Sequence, residues 1–267
     1  MASKKVVDRE EALSLLRHAV DVRMPEAARK MEEVLAPELR DGESVPDAYA
    51  QADLLVRRLE RSFASLSAAD EEVLYQRAVR RTQVGEVREA AADLRAELKE
   101  VRRFIRLACG RRAAEVLPGV PAEVPRHSPQ ALERICKLAI DKLTAPGGLP
   151  LDPDRELGGD GPKLAGRLQR HLRRLERART LKSQSRGRLE AAQVEKDRAM
   201  KAFNAAFPET AALIAAYLRL AGDPELADEL QPSRQEPGLL HKQVRRRRAT
   251  RAGRKAKEGD RGEASAL

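Results

Sequence analysis

The sequence predicts an all-α protein, a helical bundle of about six to eight helices arranged as two duplicated helical-hairpin halves and followed by a disordered basic tail. Three observations carry that expectation. Charged residues make up 35% of the 267 positions and aromatics 3%, with no Trp, while Ala, Leu, Arg and Glu dominate; such a composition suits long helices packed through small aliphatic side chains. Helix starts are spelled out repeatedly. Asp8 with Glu11, Ser44 with Asp47 and Ser67 with Asp70 have capping-box spacing, and Ser128-Pro129, Gly161-Pro162 and Asp223-Pro224 put Pro at a first helical position. Finally, apolar residues recur three and four apart over long stretches.

Taken in order, Leu13, Leu16, Val20, Ala27, Met31 and Leu35 keep helical spacing from Arg9 onward, and Pro25 predicts a kink or a break into two helices. Residues 42–46 form a turn. Leu54, Leu55, Leu59, Phe63 and Leu66 then line a helix expected to end near Ser65, with a longer one after it. In that longer helix Val84, Val87, Ala91, Leu94, Leu98, Val101, Ile105 and Ala108 alternate without a slip. This a/d rhythm is too short to demand an intermolecular coiled coil and reads as the core seam of an antiparallel bundle.

The Pro-rich stretch after Leu117 stops the helix, and residues 118–128 form a linker. Ala131, Ile135, Leu138 and Leu143 line a short helix, and residues 145–161 form a Gly- and Pro-rich loop. A long charged helix is expected over residues 162–206, weakest from Lys182 to Arg188, where Gly187 predicts a bend. Beyond Pro208 the run Ala211–Ala221 is apolar nearly all round and, with Phe203, Phe207 and Tyr217, is the expected centre of a core. The expected organisation is thus an N-terminal helical half over 1–117, the linker, a C-terminal half over 129–231 and a disordered tail over 232–267. At an offset of 113, Phe104–Ala108 falls on Tyr217–Ala221, which suggests that one half is a copy of the other.

The chemistry of enzymes is hard to find. Cys109 and Cys136 sit in apolar helical patterns and form no C-x-x-C pair, so they read as buried small hydrophobes in a reducing compartment. His18, His127, His171 and His241 stand singly, without a second ligand at helical spacing. The acids of residues 152–160 lack the glycine and glutamate of a calcium loop, and residues 158–163 fail the phosphate-loop pattern because Pro162 precedes the lysine and Leu164 follows it. Glu86, Glu89, Asp93, Glu97 and Glu100 are interleaved with Arg88, Arg95, Arg102 and Arg103, which reads as a wet face of intrahelical ion pairs. No catalytic residue, cofactor, metal or small-molecule substrate is therefore expected. The N-terminus has no apolar core of a signal peptide and no apolar run approaches membrane length, so the expected location is cytoplasmic, without membrane contact. Arginine in excess of lysine, with abundant Ala, Gly and Pro, points to a GC-rich bacterial source.

Charge supplies the functional expectation. The formal net charge is +10; residues 241–257 contribute nine Lys or Arg and no acid, residues 258–267 contribute −2, and +3 is left for residues 1–240, so the basicity reads as a property of the tail. Arg245, Arg246, Arg247, Arg248, Arg251, Arg254, Lys255 and Lys257 favour polyanions of any sequence. Between Arg167 and Arg179 six arginines face one acid, Glu176, and Arg170, Arg173, Arg174 and Arg177 could present a positive stripe to phosphates unless neighbouring helices neutralise it. The first expectation is a non-enzymatic helical interaction or scaffold protein that docks a protein partner or itself while the basic tail attaches non-specifically to nucleic acid or another polyanion. The second is a dedicated sequence-nonspecific DNA- or RNA-binding protein using the arginine helix together with the tail.

Overall fold

The structure, a computed structural model, describes residues 2–110, 128–145 and 160–245. It is an all-α bundle: α1 (Lys4–Val22), α2 (Met24–Leu35), a 3-10 turn (Ala36–Glu38), α3 (Ala48–Cys109), α4 (Pro129–Leu143), α5 (Gly161–Leu220) and α6 (Pro224–Glu229). Among the described residues there is no strand, only an isolated antiparallel bridge between Pro232 and Leu240. No helix among them is long and apolar enough to cross a membrane. All of the expected linker 118–128 except Ser128, most of the loop 145–161 and the tail from Arg246 lie outside the described residues.

Capping explains several boundaries. Asp47 accepts from the Ala50 amide at 2.9 Å, Ser128 from Ala131 at 3.2 Å, Asp160 from Lys163 at 3.2 Å and Asp223 from Leu226 at 3.2 Å, each satisfying an amide that the first helical turn leaves without a partner. Pro25 separates α1 from α2 by a single residue, Arg23.

Three expected boundaries do not occur. Asp8 lies inside α1, which begins at Lys4. The break near Ser65 is absent, because α3 runs unbroken for 62 residues and Asp70 turns its carboxylate to a tertiary partner instead of to its own backbone. Pro208 lies within the 60-residue α5. A proline in a helix interior costs roughly 3 kcal/mol, but Phe203, Phe207, Ala211 and Ile214 are fully buried on either side of it, and two buried phenylalanines alone contribute about that much. Gly187 likewise sits inside continuous helix.

The chain divides into two compact units, one of residues 1–75 with 191–267 and one of residues 76–190. They cut across the halves 1–117 and 129–231 expected from the sequence. The reason is that α3 and α5 are too long to belong to one core, and each gives one stretch to each unit.

In the first unit α1, α2 and the N-terminal part of α3 enclose Phe203, Phe207, Ile214 and Leu218 of α5. Phe63 meets Phe203 edge-on at 5.9 Å, and Phe207 stacks obliquely on Phe203 at 5.6 Å. A buried polar node ties the N-terminus down. The Ser3 amide donates to Asp70 Oδ2 at 2.6 Å, Lys196 Nζ donates to the other oxygen, and Lys196 Nζ also reaches Ser3 Oγ at 3.1 Å. Burial works against the Asp70 charge, but Lys196 and both groups of Ser3 outweigh it and hold the carboxyl below its ordinary range.

Residues 232–245, expected to open the disordered tail, are instead packed on this unit. Leu239, Leu240 and Val244 are buried, and Gly238 turns the chain at φ 86°. The buried Arg9 side chain spans the contact, donating to Asn204 Oδ1 at 2.8 Å, the Lys5 carbonyl at 2.8 Å and the Pro237 carbonyl at 3.2 Å. Prolines and polar residues outnumber apolar ones here, so the docking leucines were masked by composition.

In the second unit α4 and the flanking stretches of α3 and α5 form a three-helix bundle. The a/d seam closes inside it: Val87, Ala91, Leu94, Leu98, Val101, Ile105 and Ala108 are all buried against Leu132, Cys136, Leu168 and Leu175. Burial pushes the Cys136 thiol up to about 12, against the opposing pull of Arg102, which keeps it protonated and inert.

Candidate nucleic-acid interface

The second unit carries the basicity of the folded chain. Residues 76–190 hold 26 Lys and Arg against 15 Asp and Glu, a net of +11, whereas residues 1–75 with 191–245 hold 18 against 24, a net of −6. Reading charge along the sequence averages these two figures into near neutrality. Opposite signs become visible only once the fold assigns each stretch of α3 and α5 to its unit.

Within the second unit α5 organises the cations by its own periodicity. Leu164, Leu168, Leu172, Leu175 and Ala178 are buried, and with about 100° per residue they occupy one side of the helix. Arg170, Arg173 and Arg177 then fall diametrically opposite, on the outermost edge, and all three are exposed. Arg167 and Arg174 fall on the flank toward α3. Arg167 Nε pairs with Glu97 at 2.7 Å, and Arg174 pairs with Asp93. On the other flank α4 supplies the partners, since Glu176 accepts from Lys137 at 2.8 Å and Arg179 pairs with Glu133.

Neutralisation by neighbouring helices therefore accounts for the flanks only. Arg174, expected among the free cations, is spent on Asp93. Arg170, Arg173 and Arg177 make no ion pair or hydrogen bond with any described residue. They span about 10 Å along the axis at 1.5 Å rise per residue. Beside them Arg167, Arg170, His171 and Arg174 line an open cleft of about 330 Å³. Of the tail cations, Arg245 is exposed at the end of the described chain, and Arg246, Arg247, Arg248, Arg251, Arg254, Lys255 and Lys257 lie outside the described residues.

Other cations of this unit are exposed as well: Arg80, Arg81 and Arg106 on α3 and Arg134 on α4, which the sequence does not single out, and Arg88 and Arg103 on α3, which it suggests only as members of intrahelical ion pairs. Their signal was present only in the charge tally of the unit. The aromatic complement is a single partly buried Phe104 packed on the core, so the described part of the unit presents no exposed ring on which a base could stack. Among the described residues no group of three or more His, Cys, Asp or Glu side chains gathers to hold a metal. What this arrangement can do is attract phosphates by charge and hold them with guanidinium forks. The chain matches no protein-family model, no curated protein and no solved structure.

Proposed function

We propose that this chain is a non-enzymatic, cytoplasmic, sequence-nonspecific nucleic-acid-binding protein that grips the phosphate backbone through Arg170, Arg173 and Arg177, with the basic tail as a second attachment. The observation that carries the reading is three unpartnered arginines in a row on the outer edge of a unit with a net charge of +11. A tail-only attachment on an otherwise neutral scaffold, the first expectation from the sequence, does not account for that segregation. With no exposed ring among the described residues of the second unit, the contact of the ridge is to phosphates, so binding is indifferent to sequence and affinity falls steeply with salt, more on duplex than on single strands. Nonspecific complexes of this kind have Kd in the range of roughly 10⁻⁴–10⁻⁶ M at physiological salt.

The reading also takes α3 and α5 as copies of one ancestral helix. Their first residues stand 113 positions apart, the offset at which their C-terminal ends align, and they are 62 and 60 residues long.

The test is fluorescence anisotropy with labelled duplex and single-stranded DNA and RNA at two salt concentrations, using the full chain, residues 1–245 and an R170Q/R173Q/R177Q variant of each. Salt-dependent binding by residues 1–245 that the triple substitution removes supports the proposal. Loss of all binding on removing the tail returns the folded part to the role of a scaffold for a protein partner or a second copy, and no binding by the full chain at low salt refutes nucleic acid as the ligand.

A further inference from the structure

The packed segment 231–245 does more than cover the first unit; it folds around a cleft of about 640 Å³. Its backbone is fixed on three sides. Pro232 bridges to Leu240, the Ser233 amide donates to the Leu239 carbonyl at 2.8 Å, and the His241 amide donates to the Gln231 carbonyl at 2.8 Å. Buried Arg9 holds the outer turn through the Pro237 carbonyl, and buried Val244 lies in the wall. A cleft held in this way does not need a ligand to form.

Beside the neutral Gln231, Ser233 and Gln235, Arg234, His241 and Arg245 line it, and none of the described residues lining it is a carboxylate. The side chains of Arg234, His241 and Arg245 make no hydrogen bond or ion pair with any described residue. The cations around them are used up: Lys242 pairs with Glu229, and Arg219 donates to Asp228 at 2.7 Å. Ser233, which also lines the cleft, accepts from the amides of Gln235 and Glu236 at 3.3 and 3.2 Å and so completes its own turn. Two guanidiniums and an imidazole without partners, lining one cleft, stand out where residues 1–75 with 191–245 have a net charge of −6.

The geometry points to this cleft as a second, separate anion site that takes a phosphate group, held by the guanidiniums of Arg234 and Arg245 with His241 as a third donor. A volume of this size admits a phosphorylated small molecule or the terminal phosphate of a nucleic acid strand. The chemistry is shared by both: a dianion, rather than the monoanionic diesters of a continuous backbone, gains most from two guanidinium forks and an imidazole N–H lining one cleft.

The experiment titrates inorganic phosphate into the full chain at constant ionic strength set with chloride, following the four histidine side chains by NMR. The expected result is a saturable shift of the His241 imidazole alone, weakened at least tenfold by R234Q and by R245Q. A response reproduced by chloride, a shift spread equally over the exposed histidines, or unchanged affinity in both variants overturns the assignment. A second arm compares oligonucleotides with and without a 5′-phosphate on the R170Q/R173Q/R177Q background. A tenfold preference for the phosphorylated end identifies the strand terminus as the source, and equal binding leaves the small phosphate monoester. Because that background lacks the backbone ridge, the cleft and the ridge succeed or fail independently.

Discussion

Replacing Arg170, Arg173 and Arg177 with glutamine removes three exposed cations that hold nothing in the fold together. Stability should therefore change by no more than about 0.5 kcal/mol. Binding should change in a defined way. Each phosphate neutralised contributes about 0.9 to the slope of log K against log salt on duplex DNA. Three arginines with one phosphate each make the slope shallower by about 2.7, and over a fourfold rise in salt that corresponds to about a 40-fold difference in how much affinity is lost. The assay is anisotropy on duplex DNA between 50 and 200 mM salt, conditions over which such slopes are resolved, using residues 1–245 so that the tail does not dominate. A control of equal charge, R23Q/R40Q/R61Q, removes three exposed arginines from the acidic unit and should leave the slope nearly unchanged. Equal effects of the two triple variants would mean that overall charge, not the ridge on α5, governs the interaction, and the site assignment would fall.

Three further outcomes probe the fold that positions these features. D70N leaves the Lys196 ammonium buried without its counter-charge and should destabilise the chain by about 3 kcal/mol in urea melts. Since the folded Asp70 carboxyl titrates below its unfolded value, its contribution is full above the unfolded pKa of about 3.9 and fades as pH falls through the lower folded value; the gap between parent and D70N should be constant near neutrality and close only in acid. G238A places a methyl group 2.3 Å from Asn204 Oδ1 and 3.1 Å from Arg9 Nε at a φ of 86°, so it should undock residues 232–245, seen as faster tryptic cleavage at Arg234. F207A, at a side chain with no exposed surface, should cost about 3–5 kcal/mol and V194A, 64% exposed, less than about 0.5.

Much of this architecture was legible because helices advertise themselves locally. The seam from Val87 to Ala108, the cap residues Ser128 and Asp223 and the aromatic core at Phe203 and Phe207 are properties of a few neighbouring positions. The misreadings share a cause. Ser67-Asp70 and Pro208 look like ends because their local chemistry suits ends, but burial on the flanking turns decides the matter. Leu239, Leu240 and Val244 look like tail in the sequence because three apolar residues among prolines and charges do not disclose that Arg9, more than 220 positions away, binds the turn just before them. Partners separated by that distance leave no periodic trace.

The candidate site shows the same limit in electrostatic form. Arg170, Arg173, Arg174 and Arg177 could be named from the sequence, but which of them remain free depends on whether a carboxylate sits across the helix interface. Asp93 removes Arg174 from the set and Glu97 removes Arg167, while nothing described reaches the outer three. Likewise a chain of net +3 over its first 240 residues looks electrostatically dull until its antiparallel helices sort the charges into +11 on residues 76–190 and −6 on residues 1–75 with 191–245. That sorting bears on binding more than the total does, because screening confines the field of a charged group to about 8–10 Å at ordinary ionic strength. A phosphate approaching Arg170, Arg173 and Arg177 therefore responds mainly to the cations of that stretch of α5 and its immediate neighbours.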